Sequence, residues 1–161
     1  MVTTGTLTNL DLFSFQLTAD TVPVRIQQVQ FKLAGLSGIA NVDWSNIQLF
    51  EDANGNGRVD GGETQVGGNG FVDVAAGSVT VNAASFTLLP LAAGVNYVLQ
   101  ADLANLAPGD GFTMSLTTAQ VHAVSPDAPE DRVLAFTGSV SHANHLSGTR
   151  WLGGRFPLAM R

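Results

Sequence analysis

VRIQQVQFKL, residues 24–33, decides the fold. Val24 and Ile26 alternate with polar neighbours, and so do Val29, Phe31 and Leu33, but the two sets are out of phase. Successive side chains on a strand point to opposite faces, so the alternation predicts a half-buried β-strand. The slip falls at Gln27–Gln28, and one extra residue there predicts a β-bulge.

The same period recurs on either side. Phe13, Phe15 and Leu17 alternate in LFSFQLT, and Ile47 and Leu49 alternate in a strand that runs on to Glu51. Further strands are expected at 71–75, 78–82, 84–89, 95–103, 111–117, 119–124 and 132–141. Turn signals lie between the strands: AGLSG, GGNG, AAG, PLAAG, LAPGDG and SPDAPED. No stretch carries a helical stripe. About seven to nine short strands at this spacing predict an all-β, antiparallel β-sandwich. At 161 residues the chain suits one domain with a real core.

Composition narrows the class of function. Charged residues make up only 12% of the chain, about half the usual share, and 18 glycines help fill the gap. Without cysteine there are neither disulfides nor thiolate metal sites. No apolar run approaches the length of a membrane helix. A net charge of −6 argues against nucleic acid as a partner. The start, MVTTGTLTNLDL, carries no basic region followed by an apolar stretch, so no secretion signal is legible. The chain is then cytoplasmic, a processed product or an excerpt of a longer chain, and one of the last two is expected.

One segment departs from the strand pattern. DANGNGRVDGGE, residues 52–63, is built almost wholly from Asp, Asn, Gly and Glu. Calcium takes six to eight oxygen ligands, and a twelve-residue loop can supply them. Oxygen side chains stand at places one, three, five and nine, a backbone carbonyl at seven and a bidentate carboxylate at twelve. Those places hold Asp52, Asn54, Asn56, Asp60, Arg58 by its carbonyl, and Glu63. Place six requires positive φ and holds Gly57, while Val59 at place eight supplies the apolar residue that tucks beneath such loops. A Gly/Asn-rich hairpin turn with incidental acids explains DANG and NGNG, but not the joint placement of Gly57 and Glu63. Three carboxylates and two amides suit the weak calcium affinities of extracellular modules. IQLFE before the loop and TQVGG after it are strand-like, so the loop is expected to bridge two strands.

FKLAGLSGIANVDWSNIQLFEDANGNGRVDGGETQVGG, with FTLLPLAAGVNYVLQADLANLAPGDGFTMSLTTAQVHA, resembles an Ig-like β-sandwich module repeated in large secreted and surface proteins of bacteria. The loop itself also resembles those of dockerins and thrombospondin type 3 repeats. The resemblance covers about residues 10–146 and is strongest at 47–66. It implies an extracellular structural or adhesive role, with calcium as a rigidifying ion. Glu63 stands where that pattern often has Asp.

Other chemistry finds less support. His142 and His145 are three apart, which on a strand sends them to opposite faces, and His122 lies in another strand. No G-x-S-x-G elbow, H-E-x-x-H helix or phosphate loop is present, so no enzyme is expected. Asp43, Asp73, Asp102 and Asp110 read as solvated carboxylates at turns and on outward strand positions. Trp44, Tyr97 and Trp151 are the aromatic residues a glycan could stack on, although Trp44 is expected in the core.

The composition changes near Ser147. Residues 1–146 carry all 13 acids against four basic residues, a balance of −9, whereas 147–161 carry three arginines and no acid. The expected division is a calcium-binding sandwich at 1–146 and a basic, aromatic tail at 147–161. Phe156, Leu158 and Met160 alternate with Arg155, Pro157, Ala159 and Arg161. With Trp151, these residues are the expected site of self-association by β-strand addition to a neighbouring subunit, the alternative being a tail folded back on its own domain. The combined expectation is a calcium-stabilised structural subunit at the cell surface. The alternative is a glycan- or protein-binding module of a secreted enzyme or adhesin.

Overall fold

The computed structural model of the chain describes residues 5–19, 23–81, 86–88, 94–125, 128–131, 140–147 and 150–153. Thirteen strands run along the described residues: β1 (Gly5–Leu17), β2 (Val24–Ser37), β3 (Trp44–Glu51), β4 (Thr64–Val66), β5 (Gly70–Asp73), β6 (Ser78–Val81), β7 (Phe86–Leu88), β8 (Val95–Leu106), β9 (Gly111–Leu116), β10 (Val121–Ser125), β11 (Ala128–Asp131), β12 (Val140–Ser147) and β13 (Arg150–Gly153). They form one four-stranded sheet, ordered β1–β8–β3–β4, and one nine-stranded sheet centred on β2. Every pairing among the described residues is antiparallel.

The larger sheet has more strands than lateral positions. Val29 pairs with Val121 of β10 on one side and with Val81 of β6 on the other. Ile26 sits between Ala123 of β10 and Phe86 of β7. Lys32 sits between Ser115 of β9 and Ser78 of β6. So β6 and β7 lie end to end along one edge of β2, with β9 and β10 along the other. The bulge expected in β2 is present. Gln28 pairs with His122 and Ile26 with the next residue, Ala123, which leaves Gln27 unopposed. That extra residue restores the phase, so Val24, Ile26, Val29, Phe31 and Leu33 are all buried.

The sheets meet through aromatic rings. Phe31 of β2 reaches Phe13 and Phe15 of β1, with ring centroids 5.3 and 5.6 Å apart in edge-on arrangements. Trp44 of β3 meets Phe112 of β9 at 4.9 Å. The chain crosses between sheets after β4, where Gly70 opens β5. A Cβ on Gly70 would lie 2.6 Å from the Ile47 side chain and 3.0 Å from the Thr80 carbonyl. Only glycine lets the two sheets approach so closely there.

Tyr97 is the chain's single tyrosine and lies in this core, stacked on Phe15 at 5.6 Å. Burial, with a smaller contribution from the Glu51 charge, pushes its hydroxyl well above the usual tyrosine range. The folded state thus holds this proton more tightly than the unfolded chain. The resulting stability is full below about pH 10 and is lost as the pH rises beyond it. The phenolate absorbance is therefore expected to appear together with loss of the β circular dichroism signal. A phenolate that formed near pH 10 with the β signal intact would contradict a buried hydroxyl.

One of these expectations changes on contact with the structure, and another lies mostly outside the described residues. The SPDAPED segment is not wholly turn, because Ala128–Asp131 forms β11 against β10. The strand expected at 132–141 falls mostly on residues outside those described, and the described strand is β12 at 140–147, which contains both His142 and His145.

Candidate metal centre

Residues 52–63 join β3 to β4, two directly paired strands, so the loop bridges two strands as expected. It does not project from the end of the sheet. Asp52 donates its N–H to the Asn96 carbonyl of β8 at 2.9 Å. A Cβ on Gly57 would lie 3.5 Å from the Ser14 hydroxyl of β1, and Val59 donates its N–H to Asp11 Oδ1 at 3.3 Å. Asp11 Oδ1 also accepts the Gln100 side-chain amide at 3.0 Å. Ser14 pairs with Val98, and Asp11 with Gln100. These residues alternate with the inward-facing Phe13, Phe15 and Leu99, so the loop lies back over the outer face of β1 and β8. It explains why Val98 is 0% exposed, although it stands outside the main core cluster.

Inside the loop, the first carboxylate organises the backbone. Asp52 Oδ1 accepts the N–H groups of Gly55 and Asn56 at 2.7 and 3.1 Å, and Oδ2 accepts that of Gly57 at 2.7 Å. Gly57 has φ of 73°, the left-handed conformation expected at place six. The side-chain oxygens of Asn54 and Asn56 accept N–H groups two residues on, at 3.0 and 2.8 Å, each closing an Asx turn. Their amide nitrogens both donate to Asp60 Oδ2, at 2.9 and 2.6 Å. The Asn54 bond and then the Asn56 bond hold the Asp60 carboxyl below its ordinary range, against a lesser opposing effect of desolvation, with the Arg58 charge contributing least.

Glu63 closes the loop. Its N–H donates to the Asp60 carbonyl at 3.2 Å, and its Oε2 accepts the Asp60 N–H at 3.0 Å. Its Oε1 is buried with no hydrogen-bond partner. A buried carboxylate oxygen without a donor is costly, and such groups mark strain or a missing ion. Among the described residues no three His, Cys, Asp or Glu side chains are grouped as a metal cluster. Asp52, Asp60 and Glu63 are therefore not drawn together as such a cluster, and Asn54, Asn56 and the Arg58 carbonyl are the further oxygens this loop offers. The donor set fits calcium in kind. A half-turn of each Asn amide would exchange nitrogen for oxygen at the positions facing Asp60. A carboxylate has about four acceptor sites, of which the three N–H bonds to Asp52 use three.

The support beneath the loop is not legible in the sequence. Asp11, Ser14, Asn96 and Gln100 stand in strands far along the chain, and no local pattern marks them. The other candidates resolve differently. Asp43, Asp102 and Asp110 are buried, at 7, 8 and 8% exposed, which corrects the reading of solvated carboxylates. Asp43 accepts the Ala40 N–H and the Asn105 amide, Asp102 the Asn9 N–H and the Asn46 amide, and Asp110 the Ala107 N–H. Asn9, Asn46 and Asn105 all have positive φ, so two of these carboxylates secure irregular points in β1, β3 and β8. Asp73 caps its own turn by accepting the Ala76 N–H. Trp44 and Tyr97 are buried in the core, and so form no sugar-stacking surface. Trp151 lies in β13, whose backbone pairs with β12 of its own chain, Leu146 opposite Trp151. Phe156, Leu158 and Met160 lie outside the described residues.

An antiparallel two-sheet sandwich with a twelve-residue oxygen-rich loop seated on one outer face is the class that fold and site define. Comparison with family models, with curated proteins and with solved structures gave no match. No helix is long and apolar enough to cross a membrane among the described residues.

Proposed function

We propose that this chain is a calcium-stabilised extracellular structural protein, a subunit or module of a bacterial surface assembly. The observation that supports the calcium reading best is Glu63 Oε1, buried and unpartnered at the place where the twelfth residue of such a loop supplies a bidentate carboxylate. Asp52, Asn54, Asn56, the Arg58 carbonyl, Asp60 and Glu63 would hold the ion. Bound there, calcium supplies charge neutralisation and rigidity; it carries out no reaction. Its effect would reach β1 and β8 through Asp11, Ser14 and Asn96.

Thermal melting tests this reading. Calcium at about ten times its Kd stabilises a fold by roughly 1.4 kcal/mol. For a chain of this size that raises Tm by about 3–6 °C. Magnesium, which demands tighter octahedral geometry, is expected to do less at the same concentration. No shift in millimolar calcium would sink the calcium reading.

Assembly is the second half of the proposal, with Trp151, Phe156, Leu158 and Met160 as the contact residues. Because β13 pairs in cis, the informative truncation ends at Gly153 and keeps that hairpin whole. Polymers from the full chain and monomers from the truncation in sedimentation velocity would support assembly through the tail. Monomers from both would favour the other reading, a glycan- or protein-binding module of a secreted enzyme or adhesin. That reading has one observation on its side: Phe71, on the edge strand β5, is 51% exposed.

A further inference from the structure

The loop contains Asn54–Gly55 and Asn56–Gly57 in succession. Asparagine followed by glycine is the pair most open to deamidation, because glycine offers no side chain to block the reaction. The glycine nitrogen, having lost its proton, attacks the Asn side-chain carbonyl carbon. A nitrogen–carbon bond forms, the bond to the amide nitrogen breaks, and ammonia leaves with the displaced proton, giving a five-membered succinimide. Water then opens the ring at either carbonyl to give aspartate or isoaspartate, each adding one negative charge.

In this fold both attacking nitrogens are engaged by one carboxylate. Gly55 N–H donates to Asp52 Oδ1 and Gly57 N–H to Asp52 Oδ2, each at 2.7 Å. Asp52 is 4% exposed, so little water competes for its oxygens. A short hydrogen bond to a charged acceptor must break before either nitrogen can attack. The carboxylate also raises the energy of an amide anion formed beside it. The electrophilic carbons have no such protection, because Asn54 Oδ1 and Asn56 Oδ1 each accept a backbone N–H, which polarises the carbonyl. Protection therefore rests on the nitrogens.

We propose that Asn54 and Asn56 are a latent deamidation site, kept closed by the Asp52 carboxylate. This inference is independent of the calcium reading, since the bonds to Asp52 need no ion. If the site opens, each conversion to aspartate raises the number of carboxylates in the loop and changes whatever the loop binds.

The test is peptide mapping by mass spectrometry of the full chain aged at mildly alkaline pH. A chelator is present throughout, so that no divalent cation contributes. A synthetic peptide of residues 50–65 gives the unprotected rate. In the folded chain both sites are expected to react at least about tenfold more slowly than in the peptide, the factor that one hydrogen bond to a charged group corresponds to. Asp52→Asn retains one acceptor oxygen in place of two. It is expected to accelerate one of the two sites towards the peptide rate and leave the other slow. Asn69, exposed before Gly70 on another turn, gauges general loosening of the fold. Wild-type rates equal to those of the peptide would overturn the proposal. So would an Asp52→Asn variant with both sites as slow as wild type, or one in which Asn69 accelerates as much as the loop.

Discussion

Glu63→Gln is expected to weaken calcium binding at least about tenfold, because it removes a full charge and one of two oxygens at the closing position. The substitution is chosen to leave the ion-free loop intact. The Asp60 N–H needs one acceptor oxygen, now Glu63 Oε2, and a glutamine carbonyl can supply it. The oxygen that has no partner, Oε1, is replaced by an amide group that carries no charge. Stability in chelator should thus match or slightly exceed that of the wild type, while the gain on adding calcium shrinks. Isothermal titration calorimetry with parallel melts reads both quantities. An unchanged affinity would remove Glu63 from the ligand set, and with it the best support for the site.

Phe31→Ala is expected to cost about 3–5 kcal/mol of folding stability, measured by denaturant unfolding. Phe31 is fully buried and projects from the larger sheet against Phe13 and Phe15 of the smaller one. Truncation leaves a cavity where the two sheets are joined, and the rigid strands around it cannot collapse to fill it. Edge-on contacts of this kind add about 0.5–1.5 kcal/mol beyond area burial, so the loss should lie well above the average for a point mutation. Phe31→Leu, which keeps most of the volume, is expected to cost much less. A loss for Phe31→Ala below about 1 kcal/mol would mean that the sheets do not depend on this ring for their packing.

How much of this was legible in the sequence depended on whether the cause was local. The period-two pattern of residues 24–33 gave both the strand and its bulge, because burial on one face leaves a direct mark on residue choice. The twelve loop residues were legible for the same reason, since each place makes its own chemical demand. Asp102 was misread because what buries it is not local: its partners Asn9 and Asn46 are 93 and 56 residues away. Asp43 and Asp110 carry a local signal. Each accepts the N–H of the residue three before it and donates its own N–H to that residue's carbonyl. Gln120 does the same with Thr117, and Glu63 with Asp60. An acidic or amide side chain three residues after a turn begins is thus a recurrent closing device in this chain.

The position of the loop over β1 and β8 has a consequence for the order of folding. Its seat is built from Asp11, Ser14 and Asn96, residues that come together only once the first strand has paired with one about 80 positions later. Closing so long a span is among the slow, entropically costly steps of folding a β-protein. A loop that rests on that pairing is completed after it, late in folding. An ion bound at 52–63 would then act as a latch and not as a nucleus: it would slow the escape of the finished fold while leaving its formation rate almost unchanged.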